Sequence, residues 1–181
     1  MTLLKSAYRN QVVPQLAPVA VQRKVLTTEQ LRPLQQLTLE HVKPKSHVRG
    51  HQQRMGTNNT DNLSRYRTLK EYYWPPGAVE ALEPLAHVTS REATHWLLHF
   101  DKGDFLDEQD AWVDRRTPVD FYLVALFAKQ HLVIDGQNYV LGAGDAIQFA
   151  PSYRHAVPPM NRESAWLCFM VFRNNQKDGT E

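Results

Sequence analysis

The chain reads as mainly β: a jelly roll of short antiparallel strands, preceded by N-terminal helices and an extended basic arm. Three observations predict this. From Ala93 to Phe172, short apolar runs alternate with turn residues, the pattern of a sandwich or jelly roll. Within that stretch, HLVIDGQNYVL sets Asp135-Gly136 between two apolar runs, a strong signal for a two-residue hairpin. The hairpin then leads through a Gly-Asp turn into LGAGDAIQFAPSYRHAVPP, where a short strand is followed by a proline and His155.

Residues 1–26 carry no clear period and read as extended. Thr27 to Val42 contains a helix: Thr27 and Gln30 fit a capping box, and Leu31, Leu34 and Leu37 recur at helical spacing. Pro33 limits how far before it that helix starts. Residues 43–62 are polar with two glycines and read as a linker. Pro75-Pro76-Gly77 breaks the chain, and Ala78 to His87 reads as a short helix. In the first strand, Trp96, Leu98 and Phe100 alternate with His95, Leu97, His99 and Asp101. The following strands are Phe121–Phe127, His131–Ile134, Gln137–Leu141, Ala146–Phe149 and Ala165–Phe172.

With 181 residues and 42% hydrophobic content, the chain has room for one sizeable core plus an extension. No apolar run approaches the length of a membrane span, so no membrane partner is expected. The single cysteine, Cys168, sits in the apolar run AWLCFMVF. It precludes an intrachain disulfide and fits a reducing, intracellular compartment, with the cytoplasm favoured. The N-terminus also has the basic, acid-free composition of an organellar leader. The net charge of +2 hides an asymmetry. Residues 1–60 carry nine Lys/Arg and two acids, a net of +7, while residues 61–181 carry twelve and seventeen, a net of −5. This divides the chain into a basic N-terminal arm, 1–60, and a jelly-roll domain, 61–181. The arm lacks the apolar content to fold alone. It is expected to lie across a protein assembly or nucleic acid.

LGAGDAIQFAPSYRHAVPP resembles the C-terminal half of the core of iron(II)/2-oxoglutarate dioxygenases of the prolyl-hydroxylase type. The shared pattern is a Gly-Asp turn, an apolar strand, the distal histidine, then Val and Pro. HFDKGDFLDEQDAW, His99 to Trp112, is similar to the dioxygenase segment that leads into a His-x-Asp ligand pair. Cupins share the hairpin and the Gly-Asp-to-His spacing. The resemblance spans Trp96 to Phe172 and implies a double-stranded β-helix, with Fe(II) and 2-oxoglutarate as cofactors if the site is intact.

Such enzymes hold Fe(II) with two histidines and one carboxylate. Two alignments compete for the partners of His155. Matching Lys102-Gly103-Asp104-Phe105-Leu106 to the motif puts the ligand pair on Gln109 and Ala111, which disables the site. Taking His99-Phe100-Asp101 as the pair supplies His99, Asp101 and His155 as metal ligands, because a strand period of two aims His99 and Asp101 to one side. That choice needs a long connection, Lys102 to Val119, before the next strand. The first alignment fits the local motif better. The basic residue that would meet the 2-oxoglutarate carboxylate falls at Ala165, leaving Arg162, in the preceding turn, as the nearest candidate. In a cupin-type enzyme, His155, Tyr122 and Arg116 would be the polar groups of the site.

Two weaker motifs are read as structural. His47 and His51 share a helical spacing but lack a third ligand for Zn(II). RYRTLKEYYWPP, Arg65 to Pro76, mixes basic and aromatic residues as single-strand nucleic-acid binders do, but such stretches more often pack their aromatics on a sheet. The favoured reading is a catalytically degenerate dioxygenase-like protein that serves as a binding or assembly subunit through its basic arm. An active Fe(II)/2-oxoglutarate dioxygenase and a cupin-type small-molecule enzyme are the alternatives, and no residue is assigned as catalytic.

Overall fold

A computed structural model describes residues 18–41, 70–72, 79–100, 102–103, 105–109 and 118–173. Within them the chain runs β1 (Ala20–Gln22), α1 (Thr28–His41), β2 (Lys70–Tyr72), α2 (Val79–Leu82), a 3-10 turn (Glu83–Leu85) and α3 (Ala86–Thr89). Eight strands follow: β3 (Glu92–Phe100), β4 (Leu106–Gln109), β5 (Val119–Ala125), β6 (Gln130–Ile134), β7 (Gln137–Leu141), β8 (Ala146–Phe149), β9 (His155–Val157) and β10 (Ser164–Phe172).

The strands form two antiparallel sheets. One has the order β1-β8-β5-β10-β3-β2 and the other β4-β9-β6-β7. From β3 to β10 the chain alternates strand by strand between the two sheets, except at the β6–β7 hairpin, as in a jelly roll. The turn at Asp135 and Gly136 has positive φ at both residues, 50° and 78°. This matches the type I′ geometry expected of an Asp-Gly hairpin. It sets the pairing Ile134↔Gln137 through Gln130↔Leu141.

Side chains alternate across each strand, and both faces of the larger sheet are covered. The inner face carries Phe121, Leu123, Ala125, Ile147, Phe149, Trp166 and Cys168, which pack against Leu132, Ile134, Leu141 and Val157 of the smaller sheet. The outer face carries Leu97, Tyr122, Val124, Leu167, Phe169 and Val171, which pack against Leu26, Leu31 and Leu34 and against Leu82, Leu85 and Val88.

Residues 18–41, assigned from composition to a separate basic arm, are built into the jelly roll. β1 extends the larger sheet by pairing Ala20↔Gln148, Val21↔Ile147 and Gln22↔Ala146. Leu31 and Leu34 of α1 are buried on the chain's own sheet, and Leu37 is half-buried. The division at residue 60 missed this because apolar content was averaged over 60 residues, while the buried leucines fall within one helix. The remainder of the arm, 1–17 and 42–60, lies outside the described residues, as do both weaker motifs apart from Lys70–Tyr72.

The capping box is formed. The Thr27 amide donates to Gln30 Oε1 at 2.8 Å, and the Gln30 amide donates to Thr27 Oγ1 at 3.3 Å. The helix then continues through Pro33, which was expected to restrict its start. The burial of Leu31 and Leu34 beside the proline opposes the loss of one backbone bond. The helix read from Ala78 to His87 is three short turns, divided where Pro84 cannot donate a backbone bond. No helix among the described residues is long and apolar enough to cross a membrane.

Candidate functional site

His155 opens β9 and turns its ring into the inner cluster. It is 7% exposed. The imidazole sits edge-on to Phe121, with centroids 5.9 Å apart, and tilted against Phe149 at 5.4 Å. Trp96 continues the aromatic row, 5.8 Å from Phe121. His155 Nδ1 lies 2.9 Å from the Tyr153 carbonyl oxygen. A carbonyl only accepts, so Nδ1 carries the proton and the lone pair of the neutral ring resides on Nε2. That tautomer is the one a metal-binding histidine uses.

The strand beside His155 decides what surrounds it. β4 pairs with β9, with Leu106 opposite Val157 and Gln109 opposite His155. β4 also occupies part of the long connection that the His99-Phe100-Asp101 alignment requires. The structure therefore places beside His155 the residue that the local-motif alignment names, and that residue is glutamine. Ala111, the second position of that alignment, lies outside the described residues.

His99 stands elsewhere. On β3, Leu97 belongs to the outer cluster and Phe100 to the inner one, so His99 shares the outer face with Leu97. It pairs with Ala165 of β10, and its Nε2 lies 2.8 Å from Glu163 Oε1. His99 is on the outer face of the larger sheet, whereas His155, on β9 of the smaller sheet, faces the interior between the sheets, and the two are not brought together. Asp101 lies outside the described residues. Among the described residues, no group of three or more His, Cys, Asp or Glu is placed to hold a metal.

The carboxylate-binding position follows the same logic. Ala165 is on the outer face with Leu167, and Trp166 turns inward, 1% exposed. Arg162 is exposed in the bend before β10. None of the strands β3 to β10 contains Lys or Arg. A dicarboxylate in this interior would meet an indole where a guanidinium would be needed, and an unpaired buried charge is costly. Among the described residues, His155 belongs to no metal-holding group of His, Cys, Asp or Glu, and strands β3 to β10 offer no cation for a dicarboxylate. The inward place of Trp166 was readable in principle, since AWLCFMVF alternates Trp, Cys and Met on one side of the strand.

The polar set of the cupin-type reading is also divided. Tyr122 is on the outer face and donates to Gln22 Oε1 at 3.1 Å. Burial pushes its phenol up, and the charge of Arg91 opposes this only in part. Arg116 lies outside the described residues.

No protein-family model and no curated protein matches the sequence. Solved structures do match. A prolyl-4-hydroxylase from Pseudomonas putida superposes with a TM-score of 0.62 at 14% identity, covering 86% of this chain and 92% of that one. A Trichoplax adhaerens prolyl hydroxylase, solved with a hypoxia-inducible-factor peptide fragment, gives 0.62 at 13% identity over 85% and 83% of the two chains. HygX from Streptomyces hygroscopicus, solved with nickel and 2-oxoglutarate bound, gives 0.57 at 10% identity over 87% and 83%. The strand order, the two sheets and these superpositions agree: the chain has the double-stranded β-helix fold of the prolyl hydroxylases and related 2-oxoglutarate oxygenases.

Proposed function

We propose that this protein is a catalytically degenerate member of that fold, acting as a binding or assembly subunit. The observation that carries the reading is the pairing of Gln109 with His155 across β4 and β9. A neutral amide is a poor ligand for Fe(II) compared with imidazole or carboxylate. Two further observations support it. Trp166 fills the inner face near the start of β10, and no strand from β3 to β10 supplies a cation for a dicarboxylate. The chain retains His155, the Gly-Asp turn and the hairpin, and His155 packs on Phe121 and Phe149 of the larger sheet.

The charge outside the described domain gives the binding role its chemistry. Residues 18–41 carry three Lys/Arg and two acids, a net of +1 out of the +7 of residues 1–60. The other six positive charges fall in 1–17 and 42–60. Their proposed counterpart is an acidic protein surface or nucleic acid, because clustered like charges of this kind act chiefly through long-range attraction.

Consumption of 2-oxoglutarate, measured with added Fe(II), ascorbate and oxygen, tests the loss of catalysis. The native chain is expected to show no consumption above a protein-free control. Sustained turnover that disappears in His155→Ala would establish an enzyme and end the degenerate reading.

A further inference from the structure

Three polar side-chain atoms are buried at one end of the interior, and each lacks a hydrogen-bond partner among the described residues. They are Gln130 Oε1, Ser164 Oγ and Trp166 Nε1. Their residues are 0%, 1% and 1% exposed. Gln130 opens β6 and shares its inward face with Leu132 and Ile134. Ser164 opens β10 and shares its inward face with Trp166 and Cys168. The two strand starts meet. Gln130 Nε2 donates to the Ala165 carbonyl, between Ser164 and Trp166 in the chain, at 2.8 Å, and to the Phe127 carbonyl at 3.1 Å. His155 is at the other end of β6, opposite Ile134. The length of β6, about 13 Å, separates the two positions.

The cluster is neutral, and the role of each atom is fixed. Gln130 Nε2 donates to two carbonyls, which only accept, so Oε1 is held as an acceptor. The Trp166 indole N–H only donates, and the Ser164 hydroxyl does either. Buried polar groups are nearly all bonded in folded proteins, because leaving one unbonded is costly. Three such atoms at the junction of two sheets fit a guest that supplies the missing bonds. That guest accepts from Trp166 and donates to Gln130. A carboxylate has no proton for Gln130, and strands β3 to β10 offer its charge no cation. A primary carboxamide carries an acceptor oxygen and two N–H donors on one planar group. Toward His155 the inner face presents Ala125, Leu132 and Cys168, which suit an apolar tail.

We propose that this end of the interior binds the carboxamide of a small uncharged molecule. Gln130 Oε1 accepts from the amide N–H, Trp166 Nε1 donates to the amide oxygen, and the Ser164 hydroxyl makes the third contact. The proposal gives the binding role a ligand class, and it rests on that role only for the missing cation. No iron, co-substrate or turnover enters it. A chain that binds amides and also turns over 2-oxoglutarate would overturn only the degenerate reading. A chain with neither amide binding nor turnover would overturn only this one.

Saturation-transfer NMR on the full chain in metal-free buffer at neutral pH tests this, read on the aliphatic protons of butyramide and of its charged isostere, butyrate. Butyramide is expected to bind saturably with a Kd of about 1–10 mM, and butyrate at least about 10-fold more weakly. Ser164→Ala and Trp166→Phe each remove one bond. Each is expected to weaken butyramide about 3- to 10-fold while keeping the circular-dichroism spectrum of the native chain. Should one variant fail to fold, the other decides. If the three atoms hold only an ordered water, butyramide gives no saturable signal up to about 50 mM, and the proposal is overturned. Equal binding of butyrate, or unchanged butyramide binding in a folded variant, overturns it as well.

Discussion

Asp145→Ala should detach the N-terminal segment from the jelly roll more effectively than any other single change there. The Asp145 carboxylate holds three groups at once. It accepts from the Lys24 amide at 3.0 Å, from the Gly142 amide at 2.9 Å and from Arg23 Nη1 at 2.6 Å. The first and third fix the chain between β1 and α1, and the second fixes the Gly-Asp turn before β8. Each amide bond to a charged acceptor contributes about 1.5–3 kcal/mol. Lys24 is exposed, so water replaces its bond in part. The Arg23 side chain is 62% exposed, which limits that ion pair to about 1 kcal/mol or less. The summed loss for Asp145→Ala is therefore about 3–5 kcal/mol. Asp145→Asn, which keeps one acceptor oxygen, should lose roughly half as much. The pH dependence has a definite sign. Burial pushes the Asp145 carboxyl up, but the bonds from Lys24, Arg23 and Gly142 and the charge of Arg23 outweigh it, leaving the group below the ordinary aspartate value. Its contribution is complete above the unfolded pKa and is lost as pH falls through the folded one, a window below about pH 4. Urea denaturation of the native chain and both variants at neutral pH and near pH 3 measures these differences. A loss under about 1 kcal/mol for Asp145→Ala, or a gap to Asp145→Asn that widens as pH falls, would refute the reasoning.

Two further outcomes follow from close packing. Gly144 has φ +84°, and a Cβ there would stand 2.4 Å from the Leu26 carbonyl oxygen. Gly144→Ala should therefore destabilise by about 3 kcal/mol or more, combining left-handed backbone strain with a backbone clash, as read by thermal denaturation. Trp166 is fully buried, but its indole N–H has no hydrogen-bond partner among the described residues. Trp166→Phe should then cost less than about 2 kcal/mol, against about 3–5 for Trp166→Ala, since only volume is lost; equal costs in the same denaturation series would assign the indole nitrogen a bond.

Much of the β region is legible in the sequence because its signals are local. The Asp-Gly pair selects a type I′ turn, and that turn sets the β6–β7 pairing without help from the rest of the fold. Thr27 and Gln30 cap α1 through groups three residues apart. The features that were missed are tertiary. Three residues, Ala20–Gln22, become a strand only because the β8 edge is available to them. The face of His99 was ambiguous because both sides of β3 are covered, one by the smaller sheet and one by the helical layer. Alternation along EATHWLLHF shows two faces but not which of them is inside. The choice between Gln109 and His99-Phe100-Asp101 set local motif fit against ligand residue types, and no local signal decides between those; β4 puts Gln109 opposite His155, while Asp101 and Ala111 lie outside the described residues.

The central claim, that a glutamine stands where the fold would need a metal ligand beside His155, is tested most directly by anaerobic calorimetry with Fe(II). The native chain is compared with a double variant, Gln109→His with Ala111→Asp. The account predicts no saturable binding by the native chain. It predicts one site per chain in the double variant, abolished when His155→Ala is added. Stoichiometric binding of Fe(II) by the native chain, lost on His155→Ala, would contradict it.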